Sequence, residues 1–98
     1  MQKSQAIAEL QRQAEAVKAF GATELYLFGS TVRDSASDAS DLDLLIDYDR
    51  SGRFSLIELA GIKQLLERRL GVAVDVTTRD SLDPLLRGRI EAFAERIF

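Results

Sequence analysis

Two aspartates separated by one leucine, Asp41-Leu42-Asp43, open an apolar run that ends at Ile46. On a strand, residues i and i+2 point to one face, so these carboxylates would stand about 7 Å apart at their bases. Their oxygens can converge on one hard cation such as Mg²⁺. Without a cation the two charges repel, and one carboxyl tends to keep its proton. A third acid, Asp75, lies between Val74 and Val76, where an unpaired charge is expensive to bury. Alternation places Asp75 with Ala73 and Thr77, opposite Val72, Val74 and Val76. If its strand lies beside that of Asp41 and Asp43, the three carboxylates share a face. Asp75 could then take a proton from an attacking hydroxyl or help to hold a metal. Taken singly, Asp-x-Asp also suits a solvated strand start, and Asp75 also suits an outward-facing polar position.

Separated from Asp41 by ten residues, the chain reads Gly29-Ser30, directly after a short apolar run. Glycine lets backbone approach a ligand closely, and a serine hydroxyl with nearby N–H groups can bond phosphate oxygens. The pair also suits an ordinary strand-ending turn. Arg33 follows three residues later; its planar fork suits phosphate, and it could equally pair with Asp34 or Asp38. No Gly-Lys-Ser/Thr is present, so this is not a Walker loop.

Composition narrows the chemistry. The 98 residues contain no His and no Cys. This excludes an imidazole base, a Ser-His-Asp triad, a thiolate nucleophile, a disulfide and a zinc finger. Catalysis would run on carboxylates, Lys, Arg, Ser or Tyr, and a metal would be oxygen-bound. With 13 Lys+Arg against 16 Asp+Glu the net charge is −3, which argues against general binding to DNA or RNA. No apolar run is long enough to span a membrane, and the first residues lack the apolar core of a signal peptide. A cytoplasmic protein is expected, forming a single domain over residues 1–98.

The elements that must position these groups follow from pattern. Residues 4–20 read as one amphipathic helix through Ile7, Leu10, Ala14 and Val17, closed by Gly21. Residues 24–28 read as a strand, and 30–40 as a loop with room for a helical turn near 31–35. Residues 41–48 form a second strand, with Asp47 and Asp49 as its solvated end. Ser55-Leu56-Ile57-Glu58 is a capping-box sequence. It opens a helix whose inner edge is Leu56, Leu59, Lys63, Leu66 and Leu70, with Gly71 as its stop. Residues 72–77 are a third, β-branched strand. Asp83-Pro84 is an N-cap followed by Pro at N1, and Leu86, Ile90, Phe93 and Ile97 carry a last helix to the C-terminus. Tyr26 and Phe28 are expected in the core. The fold is α/β: a small three-stranded mixed sheet flanked by about four helices, packed mainly on one side. The apolar stripes exceed what such a sheet can cover, so part of this surface is expected to meet a partner or a second copy.

Gly-Ser, a ten-residue gap, Asp-x-Asp and a later strand acid together resemble the minimal nucleotidyltransferase (MNT) domains of the DNA polymerase β-like superfamily. More narrowly, the chain resembles the MNT antitoxins that pair with HEPN-domain toxins. The run from Val74 to Thr78, followed by Leu82-Asp83-Pro84-Leu85-Leu86-Arg87, belongs to the likeness. The resemblance implies the nucleotidyltransferase fold and a role for each residue. Gly29 and Ser30 would hold the phosphates of ATP, with Arg33 the one charge left to assist. Asp41 and Asp43 would bind two Mg²⁺ ions, and Asp75 would complete the catalytic triad. An acceptor hydroxyl attacks the α-phosphorus, AMP is transferred and pyrophosphate leaves. The implied acceptor is a tyrosine of a cognate HEPN toxin, held in a hetero-oligomer and silenced by AMP. The alternative is a catalytically weak antitoxin that neutralises its partner by contact alone. Antibiotic-modifying transferases and template-directed polymerases need further domains that this length does not hold.

Overall fold

The fold is built around a β-α-β crossover. Strand β2 (Leu42–Tyr48) runs into helix α3 (Leu56–Leu70), which returns the chain to β3 (Val74–Thr78), parallel to β2. Parallel neighbours require such a crossover. This computed structural model describes residues 2–28 and 42–98. Before the crossover come α1 (Lys3–Arg12), α2 (Ala14–Ala19) and β1 (Ala22–Phe28). After it come a 3-10 turn (Arg79–Ser81), α4 (Pro84–Phe93) and β4 (Glu95–Arg96). The sheet order is β3-β2-β1-β4, with β1 antiparallel to both β2 and β4.

The sheet therefore has four strands rather than three. The last helix stops at Phe93, and Ala94 is already extended. Ile97 does reach the core, but from an extended segment: its N–H donates to the Leu25 carbonyl at 2.7 Å. β1 offers an unpaired edge there, and ladder hydrogen bonds outweigh continuation of a short helix.

The expected single helix over 4–20 is broken at Gln13, whose N–H bonds the Leu10 carbonyl at 3.0 Å. That is an i→i−3 bond, the tighter turn that bends a helix. No Gly or Pro marks the place. Both halves still deliver their apolar residues, Ala6 and Leu10 from α1 and Val17 from α2, to one core.

That core lies on one face of the sheet. Leu25 and Leu27, Leu42, Leu44 and Ile46, and Val74 meet Ile62 and Leu66 of α3 and the residues from α1 and α2. Fully burying such a side chain stabilises by about 1.5–3 kcal/mol. α4 contributes no buried residue, and Leu85, Leu86 and Phe93 are exposed. The first turn of α3 also stands off the core: Leu56 is 80% exposed, against the expectation that it lines the inner edge. Lys63 likewise is exposed. Tyr26 and Phe28 are only half-buried and do not join the core.

The helix ends follow their residue types. The Ser55 side chain accepts from the Ile57 N–H at 3.2 Å and its hydroxyl donates to Glu58 at 2.7 Å. Gly71 takes φ 74°, the left-handed closing position. Asp83 caps α4 by accepting from the Leu85 N–H at 2.9 Å, with Pro84 following. Ser55→Ala is expected to lower stability by about 0.5–2 kcal/mol. The check is a urea midpoint that falls while the m-value holds.

Candidate functional site

Strand alternation leaves the second face of the sheet free of the main core. Its residues fall into rows set by the register. Phe28 pairs with Asp43, and Asp43 with Asp75, in the first row. Tyr26, Leu45 and Thr77 form the second, and Glu24 and Asp47 continue into the third. Asp43 and Asp75 are direct neighbours on adjacent strands, which run about 4.8 Å apart. Their side chains leave the same face.

Asp43 is half-buried, while the Asp75 side chain is 69% exposed and has Lys63 Nζ 3.9 Å from its Oδ1. That pair is open to solvent, so it constrains Asp75 weakly. Asp41 precedes Leu42 directly but lies outside the described residues, as do Gly29, Ser30 and Arg33. Among the described residues no group of three or more acidic ligands is gathered. The two described acids nevertheless fit a hard cation: both are oxygen donors, in register, on one accessible face.

Further along the same face stands an arginine that pattern reading missed. Arg79 Nε donates to Asp47 at 2.9 Å, and its Nη1 donates to Glu91 of α4 at 2.6 Å. The guanidinium lies 5.0 Å over the Tyr26 ring, a cation–π distance. The bond to Asp47 raises the Arg79 pKa further, against the opposing effect of burial. Tyr26 donates to Glu24 at 2.6 Å, and that bond pushes its phenol upward. Asp47 is thus half of a partly buried ion pair, not the solvated strand end expected of it. The signal was present. Asp47 shares the face of Asp43, and a parallel β3 beside β2 brings Arg79 past its end.

Beyond this hub Tyr48 stacks on Phe54 at 4.7 Å and donates to Asp80 at 2.6 Å. That hydroxyl, with Thr78 and Arg50 adding to it, holds the Asp80 carboxyl below the usual range. A carboxyl lowered in the folded state adds stability above its unfolded pKa of about 4, and loses that contribution as pH falls through the folded value. Tyr48→Phe is expected to move the Asp80 midpoint back up, which carboxyl NMR titration over roughly pH 2–6 would follow.

An antiparallel pair joined to a β-α-β crossover thus carries Asp43 and Asp75 in register on one face. The chain belongs to the nucleotidyltransferase domain family, which residues 10–97 match. A Thermococcus cleftensis protein named protein adenylyltransferase MntA is 38% identical over 63 residues, 64% of this chain and 62% of that one. A Methanocaldococcus jannaschii protein, provisionally named a protein adenylyltransferase, is 39% identical over 70 residues, 71% of this chain and 73% of that one. The solved structure of a provisionally assigned minimal nucleotidyltransferase aligns with TM-score 0.84 and 32% identity over 96% of this chain and 94% of that one. A chain from a toxin–antitoxin crystal structure with AMP-PNP shares the fold at TM-score 0.72 and 18% identity, over 90% of this chain and 72% of that one.

Proposed function

We propose that this chain is a Mg²⁺-dependent protein adenylyltransferase that moves AMP from ATP to a tyrosine of a cognate HEPN-domain toxin, and so acts as its antitoxin. The observation that carries the reading is the registered pair Asp43–Asp75 on the accessible sheet face of a nucleotidyltransferase-family chain. The names of its relatives, protein adenylyltransferases, agree with it.

Each residue has a task. Asp43, with Asp41 two residues before it, provides carboxylate oxygens for Mg²⁺. Bound Mg²⁺ supplies charge neutralisation to the phosphates during an in-line displacement. Asp75, exposed beside Asp43, accepts the proton of the acceptor hydroxyl or adds a ligand oxygen. Gly29 and Ser30 hold phosphate oxygens, and Arg33 offsets their charge. The acceptor oxygen forms a bond to the α-phosphorus, the bond to the pyrophosphate oxygen breaks, and pyrophosphate leaves. The reading places the chain in the cytoplasm, where ATP is supplied. Among the described residues no helix is long and apolar enough to cross a membrane.

The test is intact-mass spectrometry of the protein encoded beside this one, co-expressed with the wild-type chain or with the Asp41→Ala/Asp43→Ala variant. A gain in whole AMP units with wild type alone is expected. No gain, with a stable complex in both samples, would replace transfer by neutralisation through contact.

A further inference from the structure

We propose that the cavity at the C-terminal end of β2 is a second anion site, one that takes a small oxyanion on Arg87 and Arg50. The cavity has a volume of about 140 Å³ and is lined by Asp47, Tyr48, Arg50, Arg79, Asp80 and Arg87, among others. Since one water occupies about 30 Å³ of liquid, a several-atom anion fits.

The charges around it are unequally satisfied. Arg79 is held by Asp47 at 2.9 Å and Glu91 at 2.6 Å. Asp80 accepts from Tyr48 at 2.6 Å and lies 3.9 Å from Arg50. Arg87 is left over. Its Nε is buried with no hydrogen-bond partner among the described residues, and its Nη2 reaches the Leu82 carbonyl only at 3.5 Å. A charged group so weakly bonded calls for an acceptor, and the outer guanidinium nitrogens are the ones that can take it.

The helix makes this stronger. Arg87 lies near the start of α4, where the backbone dipole disfavours a cation. The first turn of α4 has no acidic residue, and the Asp83 carboxylate is engaged with the Leu85 N–H at 2.9 Å. An oxyanion in the cavity would bond the outer guanidinium N–H groups of Arg87, which has no ion pair among the described residues, and offset its charge. Arg50, 79% exposed and with one ion pair among the described residues, at 3.9 Å, is placed to turn in as the second arm. The planar guanidinium suits phosphate and carboxylate alike.

This site is separate from the acidic row. Asp43 and Asp47 are four residues apart on β2, roughly 13 Å at about 3.3 Å per residue. Binding here needs neither Mg²⁺ nor ATP, so the proposal stands or falls apart from the adenylyltransferase reading.

The test is an NMR titration of the ¹⁵N-labelled chain with inorganic phosphate, without Mg²⁺ or nucleotide, at ionic strength fixed with chloride. The Arg87 guanidinium N–H resonances should shift saturably with a Kd on the order of 1 mM. Arg87→Gln should weaken binding at least ~10-fold and Arg50→Gln about 3-fold, as the loss of charge-assisted bonds requires, while Asp43→Asn leaves it unchanged. A parallel titration with acetate separates the sources. Saturation by both ions points to an acidic side chain of a partner as the occupant, and by phosphate alone to a phosphate group. A shift that never saturates would overturn the site, as would loss of binding in Asp43→Asn. Should Arg87→Gln fail to fold, an unchanged Kd in Arg50→Gln would overturn it.

Discussion

Asp43→Asn is expected to lower AMP transfer at least about 10³-fold, which corresponds to roughly 4 kcal/mol of lost transition-state stabilisation. The substitution keeps the volume and removes the charge. On the proposed reading, an amide oxygen is a poorer ligand for Mg²⁺ and leaves phosphate charge less compensated. The effect should appear in kcat with little change in melting temperature, because Asp43 belongs to the open face and not to the main core. Asp75→Asn should be impaired as well. If Asp75 acts as the base, raising the pH should recover part of the rate by ionising the acceptor hydroxyl itself. Single-turnover transfer to the purified acceptor measures both. Near-normal transfer by Asp43→Asn would remove that carboxylate from the reacting centre.

Leu44→Ala is expected to cost about 2–5 kcal/mol. Leu44 is fully buried on β2, an inner strand of the sheet, one residue from Asp43 and in register with Leu27 and Val76. Truncation leaves a cavity between sheet and helices that close packing cannot fill. For a domain near 100 residues, a loss of about 3 kcal/mol corresponds to a fall of roughly 12–24 °C in Tm. Leu86→Ala, on the exposed face of α4, should change stability by less than about 0.5 kcal/mol. Thermal melts of the two variants side by side make the comparison. Similar losses in both would mean that α4 is packed in solution against something that covers it.

Much of this architecture is readable before any coordinates. Ser55, Gly71, Asp83 and Pro84 mark helix ends by local chemistry, which acts over three or four residues and so shows in the sequence. The neighbourhood of Asp43 and Asp75 follows from strand alternation once their strands are adjacent. Other features depend on distant partners. β4 exists because β1 has a free edge, which nothing in residues 94–98 announces. Leu56 has an inner-edge spacing yet lies exposed, because α3 meets the core only from its second turn onward. Asp47 looks solvated until Arg79, 32 positions later, is brought against it. Roles for Gly29, Ser30, Arg33 and Asp41 rest on motif and spacing, since these residues lie outside those described.

The pairing of β4 with β1 has a consequence for the order of events during synthesis. Leu25 exchanges hydrogen bonds with Ile97 and Phe98, and Gln11 reaches the Ile97 carbonyl at 3.4 Å. A ribosome delivers these partners at opposite times. While residues 95–98 remain in the exit tunnel, β1 can pair with β2 but keeps its other edge open, with full N–H and C=O groups displayed. Neighbouring nascent chains on one message would present the same open edge. The vulnerable interval ends only when residues 95–98 clear the tunnel. Refolding from denaturant has no such interval, because both edges of β1 can be paired from the start. Slowing elongation should therefore increase aggregation of this chain in a translation extract, yet leave its refolding yield unaffected.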